Sequence, residues 1–77
     1  MAMTLDTIKK NQKVKVISVS GGWGVRQRLG CLGIHPGDML TIKKSAIMQG
    51  PILIKIHGNQ VALGRAIASR ILVEEVS

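Results

Sequence analysis

The sequence predicts a single, mainly β domain over residues 1–77, in which about five short strands wrap into a small, strongly bent barrel. Apolar residues make up 45% of the chain, and they include one aromatic residue, Trp23, beside seventeen Ile and Val residues. β-branched side chains favour the pleated surface of a sheet. Apolar and polar residues alternate in several short segments, and a chain of this length has room for only one small core. We therefore expect a sheet that curves to cover its own apolar face.

The first strand is predicted at residues 13–19, after a short helical turn that Thr4 or Asp6 would cap. At its start, valines alternate strictly with lysines, which places the valines on one face and the lysines on the other. The alternation shifts by one residue at Ile17. A β-bulge or a sharp bend is the usual cause of such a shift, so we expect the strand to bend there.

One short α-helix is predicted between the first and the second strand. It follows residues 21–24, a run with three glycines that predicts a loop. The apolar residues that recur at the spacing of one helix face are Val25, Leu29 and Leu32. Gly33 comes next, at the position where a residue in the left-handed conformation ends a helix.

Four further strands are predicted in the rest of the chain. Pro36 and Gly37 fit the centre of a type II turn, and Asp38 is expected to stabilise that turn with a hydrogen bond. Gly58 and Asn59 fit the centre of a type II′ hairpin. A helical turn over residues 64–69 precedes the last strand. The segments with alternating apolar residues are 40–43, 52–56, 61–63 and 71–73.

Composition excludes several classes of protein. The chain has one cysteine, Cys31, so neither an internal disulfide framework nor a multi-cysteine zinc module is expected. Its longest apolar runs contain three residues, whereas a membrane-spanning helix needs about 20. The first residues lack the basic and apolar regions of a signal peptide. These features predict a soluble domain in the cytoplasm.

The chain carries a net charge of +7, from eleven basic and four acidic residues. Such a charge attracts polyanions, which include nucleic acid, anionic lipid and acidic protein surfaces. The same charge is also ordinary for the exposed surface of a small soluble domain. Charge alone therefore does not identify the partner.

No set of residues predicts catalysis. General acid–base chemistry needs two groups that face one substrate, and the adjacent Glu74 and Glu75 would point to opposite faces of a strand. Nucleophilic catalysis would pair Cys31 with His35. Gly33 lies between those two residues and Pro36 directly follows His35, so the helix is expected to end before His35 and helical spacing does not bring the two together. We expect a protein that is not an enzyme.

Three residues are candidate metal ligands: His35, His57 and Cys31. Their spacing matches no structural zinc motif. Imidazole and thiolate nevertheless suit divalent transition metals. The sequence thus predicts no required cofactor, and weak binding of Fe(II) or another divalent transition metal is the hypothesis that remains.

A basic module that binds nucleic acid is the alternative interpretation of the sequence. Small barrels that bind RNA stack bases on several aromatic side chains, and this chain has only Trp23. Binding would have to rely on contacts between phosphates and lysines, namely Lys9, Lys10, Lys13, Lys15, Lys43 and Lys44. We therefore expect no nucleic acid partner.

Two loops carry apolar residues that could contact a partner protein. Trp23 lies in the glycine-rich loop with Arg26 one helical step further on, and Trp and Arg are the preferred anchors of protein interfaces. Ile47 and Met48 lie in the loop between the second and third strands. They could instead fold back to cap the barrel, because a small domain has few apolar side chains with which to cover its core. The predicted partner contact consists of Trp23, Arg26, Ile47 and Met48.

The segment from Arg28 to Gly37 reads Arg-Leu-Gly-Cys-Leu-Gly-Ile-His-Pro-Gly, and it resembles the R-L-x-x-(L/M)-G-(L/I)-x-x-G core of the ferrous iron transport protein A (FeoA) domain. The remainder of that domain is matched in order by Gly50-Pro51, Gly58, Val61-Ala62-Leu63, Ala68 and Ile71-Leu72-Val73. The resemblance extends from Leu5 to about Glu74, which is nearly the whole chain.

The resemblance implies an SH3-like small β-barrel that acts in the cytoplasm as a non-enzymatic accessory. Its implied partner is FeoB, the membrane ferrous-iron permease that carries a GTPase domain, and the domain would be held at the inner face of the cell membrane through that partner. A related barrel forms the C-terminal domain of metal-dependent repressors, which associates such domains with transition metals. A monomer and a homodimer are both compatible with the sequence.

Overall fold

The structure is a computed structural model that describes residues 2–45 and 50–76. Its strands are β1 (Ala2–Thr4), β2 (Lys13–Val19), β3 (Met39–Lys44), β4 (Ile52–Ile56), β5 (Asn59–Leu63) and β6 (Ile71–Glu75). Its helices are α1 (Trp23–Cys31), α2 (Arg65–Ala68) and a 3-10 turn at Leu5–Thr7. The described strands form one antiparallel sheet in the order β1-β6-β2-β3-β4-β5.

The inner face of the sheet carries one apolar core. Alternate residues of the strands are buried there, and inward residues of neighbouring strands lie in register, as Ile42 does with Ile54. The molecule measures 29 × 26 × 25 Å along its principal axes. Because these three lengths are nearly equal, the sheet must curl around its inner face.

The predicted bend in the first strand is confirmed in β2. Its register with β6 shifts between Val16 and Ser18, which is the irregularity expected at Ile17. A second shift occurs in β3, between Ile42 and Lys44. Bulges of this kind increase strand twist and curvature, so both contribute to the curled shape.

The mainly β prediction is confirmed, but the closed barrel of five strands is wrong. Over the described residues the sheet has six strands, and β1 and β5 form its two edges without pairing to each other. The core is covered in another way. Leu5, Ile8 and Leu29 lie outside the strands, and all three are buried in the same cluster. Their side chains therefore help to cover the inner face of the sheet.

The placement of the helix also differs from the prediction. The sequence predicts α1 between the first and second strands, whereas α1 follows the second strand because residues 2–4 form β1. This strand is too short to show an alternating pattern, and it exists because it pairs with β6, with Ala2 opposite Glu74. Helix α1 also begins earlier than expected, at Trp23, with Gly22 as its N-cap. The helical turn before the last strand is confirmed as α2.

The end of α1 follows the predicted glycine signal. Gly33 has φ +83°, and its N–H donates to the carbonyl of Gly30 at 2.9 Å. The N–H of Ile34 donates to the carbonyl of Leu29, also at 2.9 Å. These two bonds define a Schellman motif, and its accompanying apolar contact involves the buried side chains of Leu29 and Ile34.

The hairpin between β4 and β5 has a different turn from the predicted one. Ile56 pairs with Asn59, so the two central residues are His57 and Gly58. Their φ angles are +51° and +80°. Two successive positive φ angles are the signature of a type I′ turn, which fits the right-handed twist of the strands. His57 therefore lies at the tip of the hairpin.

Within the described residues, no helix has the length and apolar character needed to cross a bilayer.

Candidate functional site

An open groove with a volume of about 780 Å³ lies between the second half of α1 and strand β5. Apolar side chains from three elements form most of its lining. Leu29 and Leu32 come from the end of α1, Val61 and Leu63 come from β5, and Ile67 comes from α2. A cavity of this size that is mainly apolar is typical of a binding site.

The end of α1 positions the most exposed large apolar residue of the groove. Leu32 is the C-cap residue, and its own N–H donates to the Leu29 carbonyl at 3.0 Å. The sequence predicts Leu32 on the buried stripe of the helix, but its side chain is 42% exposed. The reason is that α1 ends at Cys31, so Leu32 no longer follows the helical spacing that buries Leu29. The prediction for Leu32 was therefore wrong, and this side chain belongs to the groove.

Strand β5 forms the opposite wall of the groove. It is an edge strand, and among the described strands it pairs only with β4. An edge strand presents unpaired backbone N–H and C=O groups along its free side. The groove therefore combines apolar side chains with a strand edge that is able to accept an additional strand.

The electrostatic character of the groove is positive. Arg28, in the last turn of α1, lines it, and no carboxylate is among the residues that line it. The single cysteine, Cys31, also lies on this wall as an exposed free thiol. An occupant with an apolar side chain and a nearby acidic group is the best match to this surface.

The predicted partner contact is only partly within the described residues. Trp23 is 76% exposed at the start of α1, and Arg26 lies one turn further along the same helix. Arg26 lines a smaller cavity of about 320 Å³, which is bounded by Val19, Ile34 and Pro36 among others. Trp23 and Arg26 thus share one side of α1, whereas the large groove borders its other side. Ile47 and Met48 lie outside the described residues.

Sequence reasoning missed the groove because no local pattern contains it. Residues 28–32 and 60–67 are far apart in the chain, and only the packing of α1 beside β5 brings them together. One signal was available. Leu32 directly precedes the helix-ending Gly33, and a C-cap residue is poorly placed for full burial on a helical stripe.

The two histidines, separated in sequence, meet at Asp38. Nδ1 of His35 lies 3.5 Å from Oδ2 of Asp38, and Nε2 of His57 lies 3.3 Å from Oδ1. The N–H of His35 donates to Asp38 Oδ2 at 2.8 Å, which confirms the predicted role of Asp38 in its turn. This bond and the two imidazoles keep the pKa of Asp38 below its ordinary value of 3.8. We call His35, Asp38 and His57 the His–Asp–His cluster.

The His–Asp–His cluster does not form a complete metal centre. In residues 2–45 and 50–76, no three His, Cys, Asp or Glu side chains are arranged so that they could hold one metal ion. Cys31 therefore does not complete a site with His35 and His57. The imidazoles are mostly exposed, and each faces a different oxygen of Asp38. Metal binding by His35, His57 and Cys31 stays a prediction.

Comparison with known proteins identifies relatives along the whole chain. A protein of Methanocaldococcus jannaschii with a provisional assignment as Fe(2+) transport protein A is 34% identical over 67 residues, covering 87% of this chain and 79% of its own. The crystal structure of an iron uptake regulatory protein (FeoA) superposes with a TM-score of 0.89 at 29% identity, covering 99% of both chains.

A manganese-dependent transcriptional repressor in complex with manganese has the same fold in part of its chain. It matches with a TM-score of 0.90 and 22% identity, over 97% of this chain and 37% of the repressor. At this identity the match concerns the fold alone. The family model described as FeoA domain matches residues 3–75. The family match over nearly the whole chain and the relative at 34% identity establish that the chain belongs to the FeoA domain family.

Proposed function

We propose that this protein is a non-enzymatic accessory of Fe(II) uptake that docks on the cytoplasmic side of an FeoB-type permease, a membrane transporter with a GTPase domain. Membership of the FeoA family and the relative named for Fe(2+) transport support the role in iron uptake. The observation that carries the docking proposal is the groove between α1 and β5, with its apolar lining beside a free strand edge. The protein would reach the membrane through this partner.

Docking in the groove would use two kinds of interaction. An apolar side chain of the partner would pack on Leu32, Val61 and Ile67, and full burial of one leucine contributes about 1.5–3 kcal/mol. The partner's backbone would pair with the free edge of β5, and a carboxylate nearby would pair with Arg28. Trp23 and Arg26 would form a second contact from the other side of α1.

The groove is tested by placing a charge in it. The test is co-purification of this protein with the detergent-solubilised ferrous-iron permease of the same organism. Leu32→Glu should weaken binding at least about tenfold, because it removes the apolar contact and its carboxylate competes with that of the partner for Arg28, which lines the same groove. Ile17→Glu is the matched control, since Ile17 is 38% exposed and Leu32 is 42% exposed. Equal binding by the two variants would contradict docking in the groove.

The second contact is tested with Trp23→Ala and Arg26→Ala. Both side chains are exposed, so the melting temperature should change little while co-purification with the permease weakens. If both variants bind as well as the unmodified protein, Trp23 and Arg26 are not part of the interface, and docking would rest on the groove alone.

Purifying the protein without the permease tests self-association, which would appear as a change in elution volume with protein concentration.

Weak binding of a divalent transition metal is a second candidate property, favoured by the meeting of two imidazoles at one carboxylate. His35 and His57 would both have to turn toward one ion, so we expect weak affinity. Calorimetric titration with Zn(II) should then show about one ion per chain. His57→Ala should abolish the signal, and Cys31→Ala should leave it unchanged. A signal that survives His57→Ala would exclude the cluster.

A further inference from the structure

The cationic residues of this protein are segregated by type. The seven lysines lie on the sheet or directly before it: Lys9, Lys10, Lys13, Lys15, Lys43, Lys44 and Lys55. The four arginines lie on the helices or directly after α2: Arg26, Arg28, Arg65 and Arg70. The proposed docking contacts use arginines. No role has been assigned to the side of the molecule that carries the lysines.

The strand registers place four lysines together on the outer face of the sheet. Lys13 and Lys55 both pair with Thr41, one from each side, so they are about 10 Å apart across β3. Lys15 lies two residues beyond Lys13, on the same face of β2. Lys44 pairs with Leu53, on the outer side of β4. We call Lys13, Lys15, Lys44 and Lys55 the lysine face.

The carboxylates of the chain neutralise this face only in part. Glu74 pairs with Lys15, so one acid lies beside the lysine face. Asp38 belongs to the His–Asp–His cluster, and Asp6 lies in the 3-10 turn. Glu75 pairs with the inward-facing Val14, near the end of β6. The lysine face therefore keeps a net positive charge, centred on β2, β3 and β4.

Apolar side chains are interspersed with these lysines. Met39 is 46% exposed and pairs with Lys15, which places it beside a charged neighbour on the outer surface. Leu53 is half-buried and pairs with Lys44. Lysines around partly exposed apolar groups are the pattern of a surface that lies at a membrane interface, where the ammonium groups meet headgroups and the apolar groups enter the acyl boundary.

We propose that the lysine face binds the surface of an anionic phospholipid membrane directly. The composition of the face favours lipid over nucleic acid for two reasons. The one aromatic residue, Trp23, lies on α1, so the lysine face has no side chain on which a base could stack. Arginine recognises phosphates and base edges through paired hydrogen bonds. The arginines of this chain lie on the helices or directly after α2, and not on the lysine face. Lysine instead supplies flexible point charges, which suit a mobile layer of headgroups.

The proposal goes beyond docking on a permease and does not depend on it. If both are correct, the membrane and the transporter would hold the domain from two sides, through the lysine face and through the side that carries α1. Binding to lipid is measured without any permease, and docking is measured in detergent without a bilayer. A negative result for lipid binding therefore does not contradict docking on the permease, and a negative result for docking does not contradict lipid binding.

The test is co-sedimentation of the full chain with vesicles of phosphatidylcholine, with and without phosphatidylglycerol. We expect binding only with phosphatidylglycerol, and weaker binding as the salt concentration rises. Each lysine near an anionic surface contributes a factor of about five to partitioning. The double variant with Lys13→Gln and Lys55→Gln should therefore partition about 25-fold less well.

The matched control removes the same charge elsewhere. Arg65→Gln with Arg70→Gln also lowers the net charge by two, and we expect it to reduce partitioning less than about threefold. An equal loss in both double variants would mean that total charge attracts the protein, and it would overturn the proposal. Equal binding to vesicles with and without phosphatidylglycerol would also overturn the proposal.

Nucleic acid is an explicit alternative outcome. If a labelled single-stranded RNA displaces the protein from the vesicles, and the lysine variant loses affinity for RNA more than for lipid, the face is a nucleic acid site and the lipid proposal fails. Circular dichroism melts of every variant establish that each remains folded, so a loss of binding can be assigned to the surface.

Discussion

Asp38 connects two parts of the molecule that are distant in sequence. It closes the turn after α1, where its own N–H donates to the His35 carbonyl at 3.0 Å, and its carboxylate faces His57 at the tip of the β4–β5 hairpin. His57 also lies close to the end of α1, because a Cβ added to Gly33 would be 3.4 Å from its ring. One partly exposed carboxylate therefore links the helix end, the turn and the hairpin.

The lowered pKa of Asp38 predicts how stability depends on pH. The main cause is the hydrogen bond from the His35 N–H, and His57 and His35 add favourable charge interactions. A carboxyl whose pKa is lower in the folded state stabilises the protein above its unfolded pKa of 3.8, and this contribution is lost as pH falls through the lower folded pKa. Asp38→Asn should lower the Tm near neutral pH.

The difference in Tm between the unmodified protein and Asp38→Asn should shrink as the pH is lowered from about 5 toward 2, because the carboxyl becomes protonated over this range. Thermal melts at several pH values check the prediction. Glu75→Gln, which removes the same charge from an exposed side chain, serves as the control. A difference in Tm that stays constant with pH would show that ionised Asp38 is not the stabilising group.

At the scale of secondary structure elements, the end of α1 decides which residues reach the groove. The Schellman motif turns the chain at Gly33, buries Leu29 and Ile34, and leaves Leu32 on the surface. The sequence predicted this terminus correctly, because a glycine followed by an apolar residue is a local signal. The exposure of Leu32 was not predicted, since it depends on the exact residue at which the helix ends.

Two glycine substitutions in and after α1 should have opposite effects on stability. Gly33→Ala forces a side chain into φ +83°, with a contact at 3.4 Å to His57, and should cost about 1–3 kcal/mol. Gly24 lies within α1, and a Cβ added there would have no described atom within 4 Å apart from its chain neighbours and the backbone of the helix. Gly24→Ala should therefore stabilise the helix by about 0.4–1 kcal/mol.

Urea denaturation of the two variants measures both effects. Gly33→Ala would then have a lower transition midpoint than the unmodified protein, and Gly24→Ala a higher one. If Gly33→Ala did not change the transition midpoint, the left-handed conformation assigned to Gly33 would be contradicted.

The whole molecule is held together by one core that all the long strands share. Ile54 on β4 is fully buried and pairs with Ile42 on β3 and Val61 on β5. The neighbouring Leu53 points to the outer side and is only half-buried. The alternation in the sequence predicted this difference between adjacent residues, and it is the feature on which the curled sheet depends.

Substitutions at these two neighbours test the assignment of inner and outer faces. Ile54→Ala should cost about 2–5 kcal/mol and Ile54→Val about 0.5–1.5 kcal/mol, because each leaves a cavity in the core. A domain of this size has a total stability of only about 4–12 kcal/mol. Ile54→Val therefore provides a measurable variant if Ile54→Ala does not fold.

Leu53→Ala is the control on the outer face, and it should cost less than about 1 kcal/mol because its side chain is half-exposed. Urea denaturation gives all three values. A larger loss for Leu53→Ala than for Ile54→Ala would reverse the assignment of the two faces.

The sequence by itself determined the features that depend on neighbours along the chain. These are the mainly β character, the bulge in β2, the terminus of α1, the turn that Asp38 stabilises and the FeoA motif at residues 28–37. Tertiary structure alone decided the features that join distant segments. β1 exists only because it pairs with β6, the groove exists only because α1 packs beside β5, and the two histidines meet only at Asp38. Local patterns carry information about backbone conformation and side-chain periodicity, whereas pairing and packing depend on the free energy of the whole folded chain.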